Sequence, residues 1–279
     1  MTTAAPAIAL PDTLDDALAR LADNPALTPI AGATDLLVHW PDHHEAHDRD
    51  YLDLSHLREL RQVAFTDDTV TLGALTTYWD VIRDPRFRAE LPILVEAART
   101  VGAIQIQARG TWAGNIANAS PAADGVPALM ACDAVVHLAS AARGETAVPL
   151  AEFFTGYKQM RREPDELIIR ISLPRRTYGF QYFEKVGARN AQTIAKVGVS
   201  MTRSTDHGWR IAAASVAPTT IRCRATEQLL DSGTFPVSPE ALEKTLAGDG
   251  VAPIDDIRST AAYRRTVLAR IIWHALPRT

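Results

Sequence analysis

From Gly102 to Asp124 the chain reads GAIQIQARGTWAGNIANASPAAD, a run of small and polar residues with Arg109 and Asp124 as its charges and with Gly102, Gly110 and Gly114 breaking any regular period. A solvated linker would carry far more charge. The run therefore predicts loop and short strand packed against a ligand, with the regular elements built on either side of it.

Those elements are legible from periodicity. Leu14, Ala17, Leu18 and Leu21 fall at helical spacing within Thr13 to Ala22, Pro25 closes that helix, and the apolar run Leu27 to Ala31 predicts a strand broken by Gly32. Thr34 is the expected N-cap of the turn carrying Leu36 and Leu37. Alternation at Val70, Leu72 and Ala74 predicts an edge or half-buried strand, and Leu91 to Val101 a helix with Pro92 in its first turn. Ala134 to Leu138 and Leu167 to Leu173 predict strands, and the turn-like Pro174 to Gly179 the domain boundary. Beyond it, Phe180 to Lys185, Val197 to Thr202 and Ile211 to Val216 alternate like an antiparallel meander, followed by helices over Ala225 to Leu230, Pro239 to Leu246 and Tyr263 to Leu276. The division read from this is 1–175, with subdomains of roughly 1–55 and 56–175, followed by 176–279.

Composition removes several functions. With 279 residues, 47% apolar and 22% charged, the chain is an ordinary globular one with no apolar run long enough to span a bilayer. A formal charge of −4 with scattered arginines offers no field for nucleic acid. The first ten residues lack the positive start of a secretory signal, so the expected location is the cytoplasm. Cys132 and Cys223 are too few for an iron–sulfur cluster, which must sit on another chain.

Two segments carry chemistry. In Pro29-Ile30-Ala31-Gly32-Ala33-Thr34-Asp35-Leu36, Gly32 lets a phosphate approach the backbone, while the amides of the following turn favour negative charge. Read without a ligand, it is a tight strand-to-helix connection. In the segment Gly110 to Asp124, the side chains of Thr111, Asn115 and Asn118 and the open backbone at Gly114 can hydrogen-bond phosphates and ribose, and Asp124 can accept from a hydroxyl or a ring nitrogen. The alternative is a buried polar turn that satisfies itself. No G-x-G-x-x-G follows a strand, so Rossmann recognition is not indicated.

The pair PIAGATDLL and RGTWAGNIANASPAAD resembles the two FAD-binding motifs of the flavoprotein subunit of molybdenum hydroxylases, the family of xanthine dehydrogenase and carbon monoxide dehydrogenase. FFTGYKQMRREPDELIIRISLP, FQYFEKVGARNAQTIAKVGVSM and PIDDIRSTAAYRRTVLARII extend the resemblance over nearly the whole chain. It implies an α+β fold: a bipartite FAD-binding domain of the vanillyl-alcohol-oxidase (PCMH) type, then a small α+β domain of the CO dehydrogenase flavoprotein type. It implies a first FAD loop at Pro29 to Leu36 and a second at Thr111, Trp112, Ala113, Gly114 and Asn115. Asn118 and Asp124 would be polar contacts, Val101 would lie near the flavin, Ile168 would be an apolar contact and Lys185 a basic one. It further implies an electron-transfer role, with [2Fe-2S] clusters on a small partner subunit and the molybdenum cofactor on a large one. The external acceptor is left open among NAD, oxygen, a quinone and a carrier protein. No side-chain catalytic group is then required.

The chain departs from the family pattern where Ala33 and Ala113 stand in place of the second glycine of each loop. A methyl is harmless at negative φ and strained in the left-handed region. The cysteine-bound cluster insertion of the benzoyl-CoA-reducing branch is absent, which favours electron transfer through FAD alone. Two other readings are a self-sufficient FAD oxidoreductase, similar to the enolpyruvyl reductase of cell-wall synthesis, and a structural subunit without FAD. His43 and His47 share a helical spacing suited to zinc, but the Asp42 to Asp48 stretch reads as an exposed loop. Asp67-Asp68 and Asp255-Asp256 read as turn and cap residues, and Arg161-Arg162 and Arg175-Arg176 as solvated faces or subunit contacts.

Overall fold

The computed structural model describes residues 6–38, 49–189, 192–236 and 238–277. His43, His44 and His47 lie outside the described residues. Among the described residues no group of His, Cys, Asp and Glu could hold a metal, and no helix is long and apolar enough to cross a membrane.

Strands β1 (Ile8–Ala9), β2 (Thr28–Ile30) and β3 (Tyr51–Asp53) form a small parallel sheet in the order β1-β3-β2. Helix α1 (Leu14–Asp23) crosses between the first two. Thr13 starts it by accepting from the Asp16 amide at 3.1 Å, and Ala17, Leu18 and Leu21 form its buried stripe.

A five-stranded antiparallel sheet follows in the order β4-β5-β10-β6-β7, from β4 (Val63–Phe65), β5 (Thr69–Gly73), β6 (Val135–Ser140), β7 (Gly144–Pro149) and β10 (Leu167–Pro174). The strand carrying Val70 and Leu72 is half-buried, one of the two expectations, but interior rather than at an edge, because the distant β10 pairs with it, a partner that local alternation does not reveal. The hairpin of β8 (Phe154–Gly156) and β9 (Gln159–Met160) precedes β10.

Helices α2 (Tyr78–Arg83), α3 (Pro85–Glu90), α4 (Pro92–Thr100), α5 (Ile104–Gln107), α6 (Trp112–Ala117), α7 (Gly125–Ala131) and α8 (Leu150–Phe153) complete this unit. The segment from Gly102 to Asp124, expected as loop and short strand, holds the two short helices α5 and α6. Its glycines and asparagines are poor helix formers, but Thr111 caps α6 and burial of Trp112 and Ile116 outweighs propensity. One continuous core runs through both sheets and these helices.

Beyond Pro174 the chain turns into the antiparallel sheet β11 (Tyr178–Val186), β12 (Val197–Ser204), β13 (Gly208–Ala214) and β14 (Ile221–Arg222). Helices α9 (Arg224–Asp231), α10 (Pro239–Gly248) and α11 (Ala261–Ala275) bring Leu230, Leu242, Leu246, Leu268 and Ile272 into a second core with Val197, Val199 and Trp209. Helix α7 of the first unit lies against β12 and β13, and the Thr202 hydroxyl donates to the Ala131 carbonyl at 2.7 Å.

Arg175 is exposed, as expected of a solvated face, but Arg176 is drawn inward, and both are tied down. Arg175 Nε donates to Glu90 at 2.7 Å and Arg176 Nη1 to Asp133 at 2.6 Å, pinning the connection between the units. Asp256 is more than a turn residue: it accepts from the Arg258 amide at 2.8 Å and pairs with the Arg258 guanidinium at 2.6 Å and the buried Arg264 at 2.7 Å, and against the opposing pull of burial these bonds hold its carboxyl below the usual range.

Candidate functional site

Past β2 the chain turns sharply through Ala31 to Asp35 and closes a 3-10 turn over Leu36–Val38, the Leu37 amide donating to the Ala33 carbonyl at 2.9 Å. The turn expected from Thr34 is therefore present, but its closing acceptor is the Ala33 backbone. Ala33 sits at φ +58°, the left-handed region where a methyl is strained. A Cβ on Gly32 would lie 1.9 Å from the Arg109 carbonyl oxygen, so this position admits glycine alone. Among the described residues the amides of Gly32, Ala33, Thr34 and Asp35 meet no protein acceptor.

The second segment meets the first at that contact. Thr111 caps α6 by accepting from the Gly114 amide at 2.9 Å, and a Cβ on Gly114 would press to 2.8 Å from that hydroxyl. Gly114 therefore keeps the cap intact. Ala113 lies inside α6 with no positive φ, so its methyl is unstrained. Asn118 donates to Asp35 Oδ1 at 2.8 Å and accepts at its backbone carbonyl from Lys158 Nζ at 2.8 Å, tying both loops to the β8–β9 hairpin.

Together these surfaces enclose a cleft of about 570 Å³. Pro29, Ala31, Gly32, Ala33, Thr34, Asp35 and Leu36 line it from the first loop, and Thr111, Ala113, Gly114, Asn115 and Asn118 from the second. Val101 and Ile168 complete its apolar lining with Leu54, Leu75 and Ile106. Four candidates stand behind this surface. Ile30 belongs to β2. Trp112 is wholly buried against Tyr78, at 5.1 Å between ring centres, with its indole N–H unpartnered. Asp124 and Lys185 pair with each other at 2.6 Å, and Lys185 also donates to the Thr100 carbonyl at 3.0 Å. Burial pushes the Asp124 carboxyl up to about 6, against the opposing pull of Lys185.

Sequence reasoning missed Tyr78, Lys158, Arg162 and Glu166, all of which line the cleft. Lys158 and Arg162 fall within one of the quoted segments, but a basic residue over a hundred positions from the first loop carries no local signal of its target. Arg162 was expected on a solvated face; it is half-buried instead, since β9 leads directly into the buried β10 and draws the connecting turn inward.

A second hollow of about 340 Å³ lies between the two units, beside Asp133, Arg210, Arg222 and Glu227. Four of its charges form one network with Arg176: Asp133 takes Arg176 at 2.6 Å, Arg210 at 3.0 Å and Arg222 at 2.7 Å, and Glu227 takes Arg222 at 2.7 Å. Burial works against the Asp133 charge, but the three guanidiniums prevail and hold its carboxyl below the usual range. This is a clasp between the units, whereas the unpaired amides lie at the larger cleft.

Residues 4–176 match the family model of the FAD binding domain in molybdopterin dehydrogenase, and residues 181–278 that of the CO dehydrogenase flavoprotein C-terminal domain. The chain is 31% identical to a xanthine dehydrogenase FAD-binding subunit of Escherichia coli O157:H7, over 95% of this chain and 94% of that protein. It is 30% identical to the carbon monoxide dehydrogenase medium chain of Hydrogenophaga pseudoflava, over 81% and 79% of the two. Its fold superposes on a chain of solved carbon monoxide dehydrogenase from Hydrogenophaga pseudoflava with a TM-score of 0.88, at 27% identity, covering 99% of this chain and 97% of that one.

Proposed function

Because the chain belongs to the family of FAD-binding flavoprotein subunits of molybdopterin dehydrogenases, we propose that it holds FAD in the cleft between its two loops and serves as the electron-transfer subunit of a multisubunit molybdenum hydroxylase. The observation that carries the placement is the row of unpartnered amides from Gly32 to Asp35, set against the Arg109 backbone. A turn with free N–H groups suits a diphosphate, since it supplies donors without the desolvation cost of a buried cation, and its one carboxylate, Asp35, is engaged by the Asn118 amide.

Within that reading each residue has a task. The amides of Gly32 to Asp35 donate to the diphosphate, and Thr111, Asn115 and Asn118 offer neutral donors and acceptors to phosphate and ribose. Val101, Ile106, Leu75 and Ile168 exclude water from the ring systems. Asp124 and Lys185 act from behind: the pair fixes α7 to β11 beneath the cleft and sets the field there. Trp112 and Ile30 keep the two loops on a rigid base. When bound, FAD supplies the redox chemistry, receiving electrons from [2Fe-2S] clusters of a small partner subunit and yielding them to an external acceptor, with the organic substrate oxidised at the molybdenum cofactor of a large partner. The acceptor belongs to the class of NAD, oxygen, a quinone or a carrier protein. The proposed location is the cytoplasm, and the proposed division is FAD-binding 1–175, with subdomains of about 1–55 and 56–175, and C-terminal 176–279.

The left-handed Ala33 is the one feature that favours a structural subunit without FAD. Affinity purification of the full chain from its native host separates the readings. Recovery with an iron–sulfur subunit, a molybdenum subunit and a flavin spectrum is expected. Recovery of the two partners without flavin would leave the structural-subunit reading; recovery of flavin without partners would leave a self-sufficient oxidoreductase.

A further inference from the structure

We propose that Arg162 is the direct cationic contact for the diphosphate of the bound dinucleotide, with Lys158 as the second positive charge; this rests on the assignment of FAD to the cleft. Arg162 is half-buried in the turn between β9 and β10 and lines the cleft. Its Nη1 donates to the carbonyls of Glu166 at 2.7 Å and Glu163 at 3.2 Å, while Nε and Nη2 make no hydrogen bond to any described residue. No carboxylate pairs with it. Asp165 and Glu166, the nearest acids in sequence, face Arg143 instead, at 2.6 and 3.4 Å, and Glu166 also accepts from the Glu163 amide at 2.8 Å.

The Glu166 and Asp165 carboxylates act on Arg162 only from beyond ion-pair contact, and a half-buried guanidinium with two free donors and no carboxylate in contact calls for an anionic partner. Burial accordingly holds its pKa below the usual guanidinium value. Lys158 is exposed but likewise has no carboxylate in contact: its partners are the neutral oxygens of Asn118, and the Asp35 carboxylate nearby accepts from Asn118 rather than from the ammonium. In FAD the isoalloxazine, ribityl, ribose and adenine groups are uncharged at neutral pH, so the diphosphate is the part that can answer two cations. A guanidinium fork matches two phosphate oxygens in a way a leucine or glutamine at 162 could not.

The test uses the full chain stripped of flavin and titrated with FAD, riboflavin and adenosine at low and high salt. Arg162→Gln should weaken FAD at least about tenfold, flatten the salt dependence of FAD binding, and leave riboflavin and adenosine unchanged. Arg162→Lys, which keeps the charge but not the fork, should recover only part of the loss, and Lys158→Gln should show the same pattern more weakly. The thermal midpoint without ligand confirms that the compared proteins are folded. Unchanged FAD affinity in folded Arg162→Gln, or an equal loss for riboflavin or adenosine, overturns the assignment while leaving FAD in the cleft. Failure of the unmodified chain to bind FAD removes both.

Discussion

The carbonyl oxygen of Arg109 occupies the space that a Cβ on residue 32 would need, 1.9 Å from its position. The two halves of the cleft are therefore in backbone contact, and Gly32 is fixed by its neighbour as much as by any ligand. Gly32→Ala should force the loops apart, cost about 3 kcal/mol as overpacking against backbone, and strip the flavin. Urea unfolding and the flavin-to-protein ratio measure both; retention of flavin at full stability would contradict the contact.

Ala33 presents the opposite case. At φ +58° its methyl is strained, so Ala33→Gly should raise stability by about 1 kcal/mol, net of the extra freedom glycine gives the unfolded chain. Chemical denaturation checks this, with Ala113→Gly as the control: inside α6 that change should destabilise by up to about 1 kcal/mol.

Removing the clasp between the units should be costly. Asp133→Ala leaves Arg176, Arg210 and Arg222 facing one another without their shared carboxylate. A loss of about 3 kcal/mol is expected, read as a lower denaturation midpoint, together with faster proteolysis at the 175–177 connection. A loss below about 1 kcal/mol, the range of exposed pairs, would show that the arginines relax into solvent.

The Asp124–Lys185 pair gives a pH dependence of definite sign. Burial raises the Asp124 carboxyl from 3.8 to about 6 in the folded chain, so the folded state binds the proton more tightly than the unfolded one. Its contribution to stability is greatest below about 4 and declines as pH rises towards 6, because the ionised form is disfavoured inside. The stability difference between the unmodified chain and Asp124→Asn should therefore be larger at acid than at neutral pH. If Lys185 outweighed burial, that difference would grow with pH instead.

The elements readable from sequence were those whose partners lie close by or whose stripe is long, such as α4 after Pro92 or the β12–β13 hairpin. The interior place of β5 depends on β10, about a hundred residues away, and no local pattern encodes it. Helix α6 escaped notice because tertiary burial of Trp112 and Ile116, not propensity, holds it, and α5 because it is a single four-residue turn. Gly32 and Gly114 were visible because glycine marks backbone geometry directly. Lys158 and Arg162 were not, since a charged side chain looks the same in sequence whether it faces solvent or a cleft. Asp124 and Lys185 were both singled out, but that they answer each other is a fact of folding across 61 positions.

The central claim is that this cleft holds FAD. The most direct measurement is the flavin-to-protein ratio after the purified full chain is mixed with excess FAD and freed of unbound ligand, with Gly32→Ala treated alongside. One FAD per chain, lost in the Gly32 variant, is the expected result. A chain that folds and joins its partners yet retains no flavin after this treatment would contradict it.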